Sequence, residues 1–151
     1  MTAPDDLICP ASSIFDAVQT RSAIDAAIAT LTGPRDIRRA TVDILTAAQK
    51  VGRDAIQAAF EAAPFDARPT TRAYSYLTDQ LVGETLHVAT TYLHPLPNPT
   101  ESERLSLIAV GGYGRGEMAP QSDVDLLFLT PYKITPWAES MIESMLYILW
   151  D

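Results

Sequence analysis

Residues 111 to 125 read Gly-Gly-Tyr-Gly-Arg-Gly-Glu-Met-Ala-Pro-Gln-Ser-Asp-Val-Asp, and this stretch constrains the fold more than any other. A branched apolar run from Leu105 to Val110 leads into it, and an alternating run from Asp123 to Leu129 leads out. That pattern predicts a strand, a glycine turn and a second strand. Side chains alternate along a strand, so Asp123 and Asp125 fall on one face while Val124 and Leu126 face the other way. Two neighbouring carboxylates repel unless a positive charge stands between them, and a divalent cation is the simplest such charge.

The turn complements that cation. Gly111, Gly112, Gly114 and Gly116 leave backbone N–H groups uncovered and reach φ values closed to other residues, which makes a concavity for phosphate oxygens. The spacing is not a Walker loop, because Gly-Lys-Ser/Thr is absent, and not a dinucleotide fingerprint, because acidic residues follow too soon. Nor do the acidic positions recur as an EF-hand requires. A phosphate cradle joined to Asp-x-Asp suits Mg²⁺, which takes oxygen ligands and keeps substrate phosphates and waters in its shell. Phosphoryl or nucleotidyl transfer commonly adds a third carboxylate. Glu139, Glu143 and Asp151 lie in a terminal helix and do not supply it.

Several residues of the turn admit two readings. Arg115 either neutralises phosphate with its planar fork or pairs with Glu117. Ser122 either donates to phosphate or braces Asp123, and Tyr113 either stacks or packs. The bland alternative has Asp123 capping the loop and Asp125 facing solvent.

Composition narrows the partners. With 19 Asp and Glu against 11 Lys and Arg, the formal net charge is -8, which disfavours nucleic acid and anionic lipid as partners. The single cysteine, Cys9, excludes an internal disulfide and a thiolate zinc cluster, and it falls in a segment expected to be a mobile arm. The opening residues lack the basic flank of a signal peptide and no long apolar run is present, so a cytoplasmic protein without membrane association is expected. His87 and His94 have no cysteine nearby and are not read as metal ligands.

Ahead of the turn the periodicity is helical. Ser12 or Ser13 opens a first helix carrying Ile14, Phe15, Val18, Ile24, Ile28 and Leu31, with a slip between Val18 and Ile24. Gly33-Pro34 ends it and starts a second, through Ile37, Thr41, Leu45, Val51, Ile56 and Phe60, in which Gly52 is a weak point costing about 1 kcal/mol against alanine. Pro69 and Thr70-Thr71 announce a third helix, through Tyr74, Leu77 and Leu81 to about Tyr92. The expected fold class is α+β: a three-helix N-terminal region over 1–93, a proline-rich linker over 94–100, and the opening of a mixed sheet over 101–151. Pro136 opens an amphipathic helix still apolar at Trp150, which predicts that the natural chain continues.

Residues 111 to 129 resemble the nucleotidyltransferase superfamily that includes DNA polymerase beta. More narrowly, they are similar to the bifunctional uridylyltransferase and uridylyl-removing enzymes that modify the nitrogen-signalling PII protein. The helical region ahead of the motif and the closing Leu-Tyr-Ile-Leu-Trp-Asp are also similar to that family. The resemblance implies that Gly111 and Gly112 hold nucleotide phosphates and that Asp123 and Asp125 bind Mg²⁺. It implies UTP as substrate and transfer of UMP to a tyrosine hydroxyl of PII, releasing pyrophosphate when glutamine is scarce. It also implies a downstream HD-type hydrolase domain and ACT domains that take glutamine as effector. The family's third carboxylate lies on a later strand, so residues 1–151 alone are expected not to turn over. An adenylyltransferase acting on glutamine synthetase, a nucleotidyltransferase tied to cyclic-nucleotide-binding and CBS modules, and a non-catalytic nucleotide-binding or regulatory module are the alternatives.

Overall fold

A computed structural model describes residues 6–98 and 100–150, and its fold is α+β, a helical bundle followed by a small β-sheet. Where the sequence predicts one first helix there are two, α1 (Ala11–Ile14) and α2 (Ala17–Ile28). The break falls at Phe15 and Asp16, ahead of the slip in apolar spacing, and α2 runs unbroken from Val18 through Ile24. Asp16 restarts the chain as an N-cap, its carboxylate accepting the Gln19 N–H at 2.9 Å. Ile14, Phe15, Ile24 and Ile28 enter the core, whereas Val18, expected there, is 83% exposed. Cys9 packs half-buried against the same core rather than lying in a mobile arm. Burial raises its thiol pKa, which makes it a poor nucleophile.

α3 (Pro34–Ala62) begins with Pro34 in its first turn, where the missing N–H has no intrahelical acceptor to lose. Its inner face is Ile37, Thr41, Leu45, Gly52 and Ile56, and Val51 is turned to solvent. Gly52 is the point of closest approach: a β-carbon there would stand 2.4 Å from the Ile14 carbonyl oxygen and 2.8 Å from Leu77 Cδ1. The residue that helix propensity marks as weak therefore lets three helices meet.

α4 (Ala67–Val88) starts earlier than its threonines suggest, after Asp66, with Pro69 inside the first turn. A π-helical turn, Ala89–Leu93, continues it and closes with the His94 N–H donating to the Ala89 carbonyl at 2.8 Å. Arg21 on α2 reaches α4, donating from Nε and Nη2 to Glu84 at 2.5 and 2.9 Å. Glu84 is buried, and the fork of Arg21 is what makes that tolerable.

β1 (Ser106–Ala109) and β2 (Leu126–Leu129) pair antiparallel, with Leu107 opposite Phe128 and Ile108 opposite Leu127. Both strands are shorter than the apolar runs predict. β2 begins at Leu126, so Asp123 and Asp125 precede the regular strand rather than lying within it; one further rung, Val110 N–H to the Asp125 carbonyl at 3.1 Å, holds Asp125 in register. α6 (Pro136–Trp150) packs on α3, α4 and the π turn. Its Met141 and Met145 form a second core with Val82 and Ala89, and Leu107, Leu126 and Phe128 from the inner face of the sheet pack against it. Ile108, Leu127 and Leu129 stand on the exposed face. His94 and α6 are stapled twice, through Ser144 Oγ at 2.8 Å and by the Trp137 indole N–H donating to the His94 carbonyl at 2.9 Å. No helix among the described residues is long and apolar enough to cross a membrane.

Candidate functional site

The glycine turn opens as a single helical turn, α5 (Gly111–Gly114), closed by the Gly114 N–H donating to the Val110 carbonyl at 2.8 Å. Two positive φ angles shape it, 60° at Gly111 and 69° at Gly116, a region that side chains disfavour. Gly114 is required for a different reason, since a β-carbon there would meet the Ala109 carbonyl oxygen at 2.5 Å. The chain then folds back, the Glu117 N–H donating to the Gly112 carbonyl at 2.9 Å. A one-turn helix has no intrahelical acceptor for its first N–H groups, so those of Gly111 and Gly112 are left for other partners.

Asp125 lies over this bend. Its Oδ2 is 2.5 Å from the place a β-carbon on Gly111 would occupy, so carboxylate and bare backbone are in direct contact. Asp123, two residues earlier, lies outside regular structure ahead of β2, and both aspartates are exposed. Both offer hard oxygen ligands suited to Mg²⁺, a cation that commonly binds through one or two carboxylates plus substrate phosphates. Among the described residues no group of three His, Cys, Asp or Glu side chains forms a metal cage. Each carboxylate is thus of a donor type that suits Mg²⁺, and Asp125 is the one in contact with the glycine turn.

Arg115 and Glu117 form an ion pair, Nε to Oε2 at 2.8 Å, with both side chains largely exposed. The other end of the guanidinium stays beside the turn, Nη2 standing 4.0 Å from where a Gly112 β-carbon would be. The Ser122 hydroxyl accepts the Ala119 N–H at 2.8 Å, while the Ser122 N–H donates to the Ala119 carbonyl at 3.0 Å. Ser122 therefore closes a turn just ahead of Asp123, with its hydroxyl hydrogen still available to donate.

Tyr113 packs. It is 5% exposed, and its hydroxyl donates to Asp79 Oδ1 on α4 at 2.7 Å. Burial, and then the bond to Asp79, pushes the phenol pKa far above its ordinary value. Burial likewise raises that of Asp79, opposed by the same bond. Ser75 on α4 accepts the Met118 N–H at 3.4 Å, and Arg53 on α3 donates to the Pro120 carbonyl at 2.7 Å. These helix residues are absent from the sequence reading of the site. The signal that could have found them is a serine and an aspartate one turn apart, Ser75 and Asp79, amid the apolar positions of α4.

The family description "Nucleotidyltransferase domain" matches residues 99–139, which take in β1, the glycine turn, the Asp-x-Asp and β2. The chain is homologous to bifunctional uridylyltransferase/uridylyl-removing enzymes. It is 57% identical to that of Ruegeria pomeroyi over 138 residues, which is 91% of this chain and 15% of the relative. With that of Cereibacter sphaeroides it shares 55% identity over 147 residues, 96% of this chain and 16% of the relative. With that of Erythrobacter litoralis identity is 46% over 114 residues, 76% and 12% respectively. The chain thus spans about one sixth of the length of the curated relatives it matches. No solved structure matches it.

Proposed function

We propose that this chain contributes the nucleotide-binding part of a Mg²⁺-dependent uridylyltransferase that moves UMP from UTP to a tyrosine hydroxyl of the PII protein. The observation that carries the reading is the Asp125 carboxylate resting on the Gly111 backbone, which puts an oxygen ligand beside phosphate-binding amides. Asp123 and Asp125 would hold the metal, whose charge, when bound, offsets that of the phosphates and of the leaving pyrophosphate. Gly111 and Gly112 present N–H groups to phosphate oxygens. Arg115, already beside Gly112, adds a cation that can shift between Glu117 and a phosphate. Ser122 has one hydroxyl hydrogen to donate. Residues 1–93 serve as the platform, 94–100 as the linker, and 101–151 as the start of the catalytic domain, with a third carboxylate supplied from outside these residues.

The reading is tested by labelling PII with UTP or ATP and Mg²⁺, using the full-length protein. UTP is expected to label PII and ATP not to, and a chelator to abolish labelling. Asp123→Asn or Asp125→Asn should cost about 10²-fold or more, since metal stabilisation of transferred phosphoryl charge is worth several kcal/mol. Undiminished labelling by both variants would refute the metal role. Preferred use of ATP with glutamine synthetase as acceptor would replace the substrate assignment.

A further inference from the structure

We propose that Asp79 is a positioning residue for the nucleotide, acting through Tyr113 to hold the glycine turn in its phosphate-receiving shape, while Ser75 and Arg53 hold the loop that follows. The proposal rests on the reading of that turn as a phosphate cradle.

The turn cannot hold itself. Fixing a residue's backbone costs conformational entropy, and glycine loses the most freedom of any residue. Between Gly111 and Gly116 only Tyr113 and Arg115 carry side chains, and Arg115 is spent on an exposed pair with Glu117. Exposed pairs of that kind contribute little order. Tyr113, flanked by Gly112 and Gly114, is therefore the one side chain of this segment that anchors it to the core, and Asp79 receives its hydroxyl at 2.7 Å. The anchor continues at intervals along the loop: Met118 is buried with its N–H on Ser75, whose own hydroxyl donates to the Thr71 carbonyl at 3.0 Å, and Arg53 holds the Pro120 carbonyl. All three partners come from α3 and α4, and all three bonds fall on the loop between β1 and the Asp123–Asp125 pair.

The Tyr113 bond asks of residue 79 only an acceptor oxygen. A half-buried carboxylate facing a phenol is a costly acceptor, and asparagine could accept the same hydrogen bond without the desolvated charge. What Asp79 does for the turn thus depends on its acceptor oxygen, so the conservative amide should replace it while a truncated side chain should not.

The experiment uses the full-length protein and measures Mg²⁺-UTP affinity, kcat and KM for UTP, and hydrogen exchange at the amides of Gly114, Gly116 and Glu117. Tyr113→Phe and Asp79→Ala should each raise the nucleotide Kd and KM about five- to tenfold and speed exchange at those amides by a similar factor, with α3 amides unchanged. Asp79→Asn should stay within about twofold of the parent. Tyr113→Phe combined with Asp79→Ala should do no more harm than either alone, since both break one contact. Unchanged affinity and exchange in a folded Tyr113→Phe protein would overturn the proposal, as would losses that add in the double variant. If Asp125→Asn abolishes transfer while Tyr113→Phe binds and exchanges like the parent, only this inference fails. If the parent binds no Mg²⁺-UTP, the cradle reading fails and this one with it.

Discussion

Asp125 and Gly111 share one place: the carboxylate fills the space that a β-carbon on the glycine would need, 2.5 Å from Oδ2. The metal-ligand candidate and the backbone proposed to receive phosphate are thereby brought within contact, and each restricts what the other can become.

Gly111 and Gly112 should respond differently to substitution. Gly111→Ala forces an L side chain to φ 60° and displaces Asp125, so a loss of roughly 1–2 kcal/mol in urea unfolding is expected, together with loss of transfer. At Gly112 a β-carbon would find only the Glu117 carbonyl at 3.7 Å and the mobile end of Arg115. Gly112→Val should therefore fold and instead weaken triphosphate binding, about tenfold, by covering the amides. Equal nucleotide affinity in the valine variant and the parent would count against the cradle.

Gly52→Ala tests which effect wins inside a helix. Propensity favours alanine by about 1 kcal/mol, but the new methyl would lie 2.4 Å from the Ile14 carbonyl oxygen, a backbone atom that cannot swing aside. Overpacking of this kind costs about 1–3 kcal/mol, so net destabilisation is expected in chemical denaturation. A stabilised variant would show that α1 is not held against α3 as described.

Arg21→Met leaves Glu84 buried without its fork. Breaking a fully buried pair costs about 3–5 kcal/mol; Arg21 is itself 37% exposed, so water screens part of that and about 2 kcal/mol is expected. Replacing both, Arg21→Met with Glu84→Leu, should recover much of the loss, because no uncompensated charge remains. Denaturant midpoints of the single and double variants decide it.

His94 should make stability depend on pH. Burial first, and then the nearby Arg38 charge, lowers its folded pKa below the usual value of about 6.5. Above pH 6.5 the ring is neutral in both states and the contribution is intact. As the pH falls below that value the unfolded chain takes up the proton more readily, and stability is lost down to the lowered folded pKa. The melting temperature of the parent should fall between pH 7.5 and 5.5 more steeply than that of His94→Gln; parallel curves would show that the ring is not the cause.

The helix-by-helix reading fails at particular residues for physical reasons. Val18 and Val51 fit a helical stripe yet face solvent, because period alone does not say how wide a face the neighbours cover. The first helix breaks at Phe15 and Asp16 because Asp16 caps α2, and a single aspartate carries little signal for a cap inside an otherwise periodic run. The strands are shorter than their apolar runs because pairing, not hydrophobicity, decides where a ladder ends.

Local chemistry was written in the order of residues alone: a glycine turn between apolar runs, followed by alternating carboxylates, with helices ahead. Backbone freedom and side-chain period are properties of neighbouring residues, so they can be read without a fold. Which groups meet across the chain was decided only by tertiary packing. Tyr113 on Asp79, Arg53 on Pro120 and Arg21 on Glu84 join residues 34, 67 and 63 positions apart. Such contacts form because burying apolar faces brings their elements together, and no local pattern encodes the distance between them.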